Sequence, residues 1–150
     1  MLRNAIQGTW ELVSYVAQHN HGGPITYPLG PGALGLIMYT ADGYMSAQIM
    51  RPDRPAFDHS ESDGGTLEQA AAAAAGYLAY SGPFEVDEST GVVHHDVMVS
   101  LLPNWLNGTQ LRHAKLDGDH LTLSAVTAVP DGTESLSTLV WKRAPGHPDE

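Results

Sequence analysis

Residues 34–50 read LGLIMYTADGYMSAQIM, which is two apolar runs separated by four small or polar residues. The runs Leu34–Tyr39 and Tyr44–Met50 each have the length of a β-strand. Between them stand Asp42 and Gly43, a pair typical of hairpin turns because both residues tolerate positive φ. This stretch therefore predicts two antiparallel strands joined by a tight turn.

The rest of the chain repeats this pattern of short strand-like runs and polar turns, with one exception. Thr66-Leu67-Glu68-Gln69 has the form of a helix capping box, and six alanines follow it at Ala70–Ala75. Because alanine is the best helix former, we predict one helix from Thr66 to about Tyr80. The other predicted strands are Thr9–Val16, Phe84–Asp87, Val92–Leu101, Gln110–Leu116, His120–Val126 and Glu134–Arg143.

Eight sequential strands predict an all-β protein. They close most simply into an antiparallel up-and-down barrel, with the helix between strands three and four. A sandwich of two sheets stays open as an alternative, because periodicity alone does not reveal closure. An eight-stranded barrel is either filled by side chains or holds one small ligand. We find neither an internal repeat nor a break in composition, so residues 1–150 are predicted to form a single domain.

The composition narrows the classes of function. Seven Lys and Arg against 17 Asp and Glu give a net charge of −10, which argues against nucleic acid and anionic membrane surfaces as partners. There is no cysteine, so disulfides and thiol chemistry are excluded.

His19-Asn20-His21 lacks a third ligand, and we predict neither a metal nor a cofactor. No signal sequence or long apolar run is evident, so we expect a cytoplasmic protein. A homodimer is left open.

Gly8-Thr9-Trp10, at the start of the first predicted strand, resembles the signature of lipocalins. Longer stretches are similar to the bacterial and fungal lipocalin-like domain family over nearly the whole chain. They are Tyr27-Pro28-Leu29-Gly30, Gly35–Thr40, Asp42–Ser46, Met50–Pro55, Gly76–Gly82, His94-His95, Pro103-Asn104-Trp105 and Gln110-Leu111-Arg112.

The resemblance implies a calyx-like barrel in which Trp10 plugs one end and Arg143 stacks on its indole, a favourable cation–π arrangement. Similar barrels in natural-product pathways include cofactor-free cyclases and isomerases. The chain has neither the disulfide nor the helix position of secreted lipocalins. Extracellular transport is therefore not implied.

Alternation within Gln110–Leu116 places Arg112 on the inward face, where an unpaired charge is costly. Arg112 either pairs with a buried acid or strand carbonyls, or it anchors an anionic or carbonyl-bearing ligand. Within Val92–Leu101, His95 lies on the apolar face and His94 on the opposite one. His95 is either a satisfied core histidine or an acid–base group of the cavity.

These residues lead to two functional hypotheses and a structural alternative. The first is a protein that binds a small, mostly apolar molecule in the barrel. The second is a cofactor-free cyclase or isomerase that acts on a polyketide- or terpenoid-like intermediate, with His95, Arg112 and Tyr44 as catalytic candidates. The third is a barrel with a filled interior. The ligand-binding candidates are Tyr39, Gln48, Tyr80, Asn104, Trp105 and Gln110.

Overall fold

The computed structural model describes residues 1–128 and 130–148, which form a closed antiparallel β-barrel. The predicted all-β barrel is confirmed, and the two-sheet alternative is wrong. Two α-helices lie in this part of the chain, α1 (Leu2–Ala5) and α2 (Leu67–Ala75). The strands are β1 (Gly8–His19), β2 (Ile25–Thr26), β3 (Leu34–Tyr39), β4 (Tyr44–Met50), β5 (Tyr77–Asp87), β6 (Val92–Asp96), β7 (Val99–Ser100), β8 (Thr109–Asp117), β9 (His120–Ala128) and β10 (Glu134–Arg143).

Strand β1 closes the barrel because it pairs with a long strand on each side. Its first residues pair with β3, and the strand from Trp10 to His19 pairs with β10. The other long strands follow as antiparallel neighbours in the order β3, β4, β5, β6, β8, β9 and β10, while the two-residue strands β2 and β7 pair locally with β1 and β5. Each long strand in the described part of the chain therefore has a long-strand neighbour on both sides.

A bulge in β1 changes which residues face the barrel interior. The pairing with β10 shifts between Leu12 and Ser14, so the strand contains one extra residue at that point. Simple alternation predicts that Ser14 and Val16 share the face of Trp10. Beyond the bulge, Tyr15 lines the interior instead.

The helix is present but ends earlier than predicted. Its capping box forms as expected, since Thr66 Oγ1 accepts from the Gln69 amide at 3.2 Å and Gln69 Oε1 accepts from the Thr66 amide at 3.0 Å. The helix ends at Ala75 with Gly76 as its C-cap, and residues 77–83 pair with β4. The predicted extension to Tyr80 is wrong, because strand pairing and burial of Tyr80 outweigh helix propensity there.

The predicted strand Val92–Leu101 is interrupted. Strand β6 ends at Asp96, and two residues later Met98 donates its backbone N–H to the Ser81 carbonyl at 2.9 Å. At this point the Asp96 carbonyl crosses directly over Gly82, where a Cβ would lie 1.8 Å from that oxygen. The close approach bends the chain and leaves Val99 and Leu101 exposed rather than inward.

One end of the barrel is sealed around Trp10, which is fully buried. The Trp10 indole N–H donates to the Ile6 carbonyl at 2.9 Å. The Arg143 guanidinium carbon lies 4.1 Å from the indole centroid, the stacking that the resemblance implies. Arg143 also donates to the carbonyls of Ala5 and Gln7 at 2.8 and 2.9 Å. The segment α1–Gln7 is thereby fixed across this end as a cover.

Candidate functional site

A cavity of about 140 Å³ lies inside the barrel. On β10 it is lined by residues 137, 139 and 141, and it does not reach Arg143 at the sealed end. The cavity therefore occupies the half of the barrel remote from α1. Its apolar wall consists of Ile37, Ala47, Ile49, Leu78, Leu123, Ala125 and Leu139. Its wall residues with polar atoms are Tyr15, Tyr80, Trp105, Gln110, Arg112, Thr127, Ser137 and Trp141.

A buried hydrogen-bonded chain connects this cavity with the sealed end. His95 is 0% exposed, and its ring lies between two tyrosine hydroxyls. Tyr80 Oη is 2.8 Å from His95 Nδ1, and Tyr39 Oη is 2.8 Å from His95 Nε2. Tyr80 is a residue of the cavity wall, whereas Tyr39 pairs with Gly8 beside the sealed end. The chain thus extends from Tyr39, through the imidazole, to the cavity.

The three hydrogen-bonded side chains, Tyr39, His95 and Tyr80, are uncharged at neutral pH. Burial lowers the pKa of His95 to about 3, and the nearby Arg112 charge acts in the same direction. Burial also raises the pKa of Tyr39 well above its ordinary value and raises that of Tyr80, although the Arg112 charge opposes both shifts. The imidazole is therefore neutral and both phenols keep their protons.

Arg112 is half-buried on β8 and lines the cavity, which is the inward placement that alternation predicted. Its guanidinium donates to the Leu111 carbonyl at 2.9 Å and approaches Gln110 Oε1 at 3.4 Å. Both acceptors are neutral, and no Asp or Glu lies among the wall residues that the structure describes. The positive charge of Arg112 is therefore not balanced by a carboxylate of the wall.

Trp141 carries a further donor. Its indole N–H is buried and finds no hydrogen-bond acceptor among the described residues. A buried donor without a partner is costly in a folded protein, and it is rare enough to need an explanation. Trp141 also contributes to the wall of the cavity.

The remaining predicted site residues divide into two groups. Trp105 and Gln110 line the cavity, and the Trp105 ring packs edge-on against Tyr80 with centroids 5.3 Å apart. Three others do not reach the cavity. Tyr44 is 49% exposed, Gln48 accepts from Tyr77 Oη at 2.6 Å on the outer surface, and Asn104 is exposed in the 3₁₀ turn Pro103–Trp105.

The reason for the outward placement is the phase of β4. Met45, Ala47 and Ile49 are the buried residues of this strand, so Tyr44 and Gln48 face outward. The structure therefore does not bring these two predicted site residues to the cavity, because the apolar set of the strand takes its inward face. Among the three inward residues of this strand, Ala47 has the smallest side chain and leaves the most room for the cavity.

Sequence reasoning missed Tyr15, Ser137 and Trp141 as cavity residues. Tyr15 could not be found by alternation, because the bulge in β1 reverses the phase. Ser137 and Trp141 follow the regular alternation of β10 and share its inward face with Leu139. The alternation of β10 could therefore have identified both residues as facing the interior of the barrel.

Two negative findings concern other kinds of site. Within residues 1–128 and 130–148, no three His, Asp or Glu side chains converge in a way that could hold a metal ion. Over the same residues, neither helix has the length and apolar character needed to cross a bilayer.

A closed eight-stranded barrel with one sealed end and an internal cavity is the architecture of a calycin-type protein. Comparison with known families agrees, because the lipocalin-like domain family matches residues 7–144 of this chain. The chain belongs to the lipocalin-like domain family. It is also 44% identical over 108 residues to the 4'-hydroxy-3'-methoxypropiophenone carrier protein ppsC of Aspergillus oryzae. That match covers 67% of this chain and 97% of the fungal protein.

Proposed function

We propose that this protein binds a small, mostly apolar organic molecule in the barrel cavity, and that Tyr80, Arg112 and Trp141 hold the polar end of that molecule. The observation that carries the proposal is an internal cavity whose apolar wall contains converging polar groups, among them a buried donor without an acceptor. Such a combination is typical of small-molecule sites. The name of the fungal relative, a carrier protein, supports the same function.

The cavity limits the size of the ligand. A dry cavity of about 150 Å³ accommodates benzene, so the enclosed space of about 140 Å³ suits a single ring. Substituents on that ring would extend past Trp105 and Gln110 at the wall. An aryl ketone such as the compound named for the fungal relative has one such ring, substituents that would extend beyond the cavity and a polar oxygen, and it is the probe we would use first.

The polar groups have different roles in this proposal. Arg112 supplies charge to an anionic or carbonyl oxygen, while Tyr80 and Trp141 supply neutral donors of fixed direction. His95 acts indirectly, because it is fully buried behind Tyr80 and does not line the cavity. We assign it a positioning role.

Isothermal titration calorimetry with 4'-hydroxy-3'-methoxypropiophenone tests the proposal. Filling the cavity by Ala125→Phe should abolish binding, because Ala125 lines the wall. Ala128→Phe on the same strand is the matched control, since Ala128 is exposed and should leave binding unchanged. Equal binding by both variants would place the ligand outside the barrel. Absence of binding by the wild type to a panel of aryl ketones and phenols would refute the proposal.

A cofactor-independent isomerase or cyclase in the same cavity is the second candidate. One observation favours it: the Tyr80 hydroxyl and the Arg112 guanidinium lie on one wall and could stabilise an oxyanion that forms during reaction. The pKa of about 3 makes His95 a weak base at neutral pH and argues against proton abstraction by its ring. Mass spectrometry and chromatography of the recovered ligand separate the two functions. A carrier returns it unchanged, whereas an isomerase returns a compound of equal mass and different retention time.

A further inference from the structure

The Tyr39–His95–Tyr80 chain has a direction that follows from counting its protons. Tyr39 is 2% exposed, and His95 Nε2 is its hydroxyl's one hydrogen-bond partner among the described residues. A phenol has one proton to donate, and a neutral imidazole has one donor and one acceptor nitrogen. The Tyr39 proton is satisfied only if Nε2 is the acceptor, because buried donors in proteins are rarely left unpaired. The imidazole proton is then on Nδ1.

This tautomer fixes the role of Tyr80. His95 Nδ1–H donates to Tyr80 Oη at 2.8 Å, so the Tyr80 oxygen is an acceptor within the chain. The proton of Tyr80 must then be donated to another group. Arg112, whose charge acts on Tyr80, has no acceptor atom and cannot receive it. Since Tyr80 lines the cavity, its O–H is available to a bound molecule.

Two further groups of the cavity wall can only donate, unlike Tyr15, Gln110, Thr127 and Ser137, whose oxygens can also accept. The Trp141 indole can only donate, and its N–H has no acceptor among the described residues. The Arg112 guanidinium can only donate as well. A ligand oxygen that accepts without donating, as in a ketone, satisfies such groups. A hydrocarbon leaves these donors unpaired.

We propose that Tyr39, although it lies outside the cavity, sets the direction of the Tyr80 hydroxyl through His95 and thereby makes the cavity select ligands with a carbonyl-type oxygen. This selectivity rests on the proposed binding function. In it, Tyr80 contacts the ligand, whereas Tyr39 and His95 are positioning residues. The reverse tautomer would direct the Tyr80 proton to His95 and remove the donor from the cavity.

The first test is the tautomer itself, which requires no ligand. Nitrogen-15 NMR of the wild-type protein at neutral pH should show His95 protonated at Nδ1 and unprotonated at Nε2. Protonation at Nε2 would overturn the proposal. In Tyr39→Phe the constraint is removed, and a population protonated at Nε2 should appear. Tyr27→Phe is the matched control, because Tyr27 is exposed, and it should leave the His95 signals unchanged.

The second test compares propiophenone with propylbenzene, which has nearly the same shape and no oxygen. We expect the wild type to bind the ketone at least about tenfold more tightly, the size of effect that an unsatisfied buried donor produces. Tyr80→Phe should remove most of this ratio. Tyr39→Phe should reduce it severalfold, while a merely structural disturbance would weaken both compounds alike.

The outcomes of the second test are separable. If both compounds bind the wild type equally, binding in the cavity survives, whereas the selectivity and the roles of the polar groups in holding the ligand are refuted. If neither binds, the proposed function and the selectivity that rests on it both fail. A ratio unchanged in Tyr39→Phe, with His95 still protonated at Nδ1, would refute the positioning role of Tyr39.

Discussion

Acidification should destabilise this protein in a pH range where its carboxylates are still charged, because His95 is buried as a neutral ring. Its pKa in the folded protein is about 3, against 6.5 in the unfolded chain. Below pH 6.5 the unfolded chain therefore binds a proton that the folded protein does not. The stability contributed by His95 is present in full above pH 6.5 and is lost as the pH falls from 6.5 towards 3.

The magnitude follows from these two pKa values. Each pH unit within that range costs about 1.4 kcal/mol, so the free energy of unfolding should fall by about 2.7 kcal/mol between pH 7.5 and pH 4.5. For a chain of 150 residues this corresponds to a decrease in melting temperature of roughly 5–10 °C. Carboxyl groups contribute in the same direction at lower pH. Turn hydrogen bonds from Ser89 and Thr133 lower the pKa of Asp87 and Asp131 respectively, and their stabilisation is lost as those groups protonate.

Urea unfolding at pH 7.5, 6.0 and 4.5 measures the effect, with His95→Gln as the comparison. Glutamine can both donate and accept, so it can replace the two hydrogen bonds without titrating. The carboxylates are common to both proteins and cancel in the difference. Wild type should lose about 2.7 kcal/mol more than the variant. Parallel pH curves would refute the reasoning. If the variant does not fold, NMR titration of wild-type His95 gives the same answer, since its ring should stay neutral at pH 4.5.

Three further perturbations follow from the structure. Arg143→Ala should lower the free energy of unfolding by about 2 kcal/mol, because the substitution removes the stack on the Trp10 indole and two hydrogen bonds to the cover. Lys142→Ala, at the exposed neighbouring residue, should change the free energy of unfolding little. Equal effects of the two substitutions in urea unfolding would contradict the role of Arg143. Arg112→Met should weaken the binding of propiophenone by about tenfold in calorimetry and the binding of propylbenzene much less. An equal loss of affinity for both compounds would mean that the substitution changed only the packing. Gly82→Ala should lower the free energy of unfolding by about 3 kcal/mol or more, because the added Cβ would overlap the Asp96 carbonyl oxygen. Gly146→Ala should leave the stability unchanged, because there is open space around Gly146. A folded Gly82→Ala protein with the wild-type melting temperature would contradict the close approach.

Local chemistry made much of the fold predictable. The hairpin of Leu34–Tyr39 and Tyr44–Met50 has the predicted bounds, because Asp42-Gly43 forms the turn and Gly43 has φ +96°. The helix start at Thr66 was equally readable from its capping box. Its end was not, since the segment after Gly76 is held by pairing with β4, a contact distant in sequence.

The candidate site was predictable where alternation is regular. Arg112 and Gln110 lie on the inward face of β8, and they line the cavity. The bulge in β1 hid Tyr15, because an extra residue in one strand reverses the phase of every residue after it. The links from His95 to Tyr39 and Tyr80 join three strands, and their partners are 56 and 15 residues away. Only the assembled barrel reveals them.

The cover over Trp10 closes one of the two ends of the barrel that residues 1–128 and 130–148 form. Because Ile6 and Trp10 are fully buried and Arg143 is hydrogen-bonded to the segment above them, a molecule cannot pass through the barrel from end to end. Arrival and departure must use the same opening. A second molecule in solution therefore cannot displace a bound one from behind, and the residence time of a bound molecule should not depend on the concentration of competitor. Faster unloading would require a change at the opening itself.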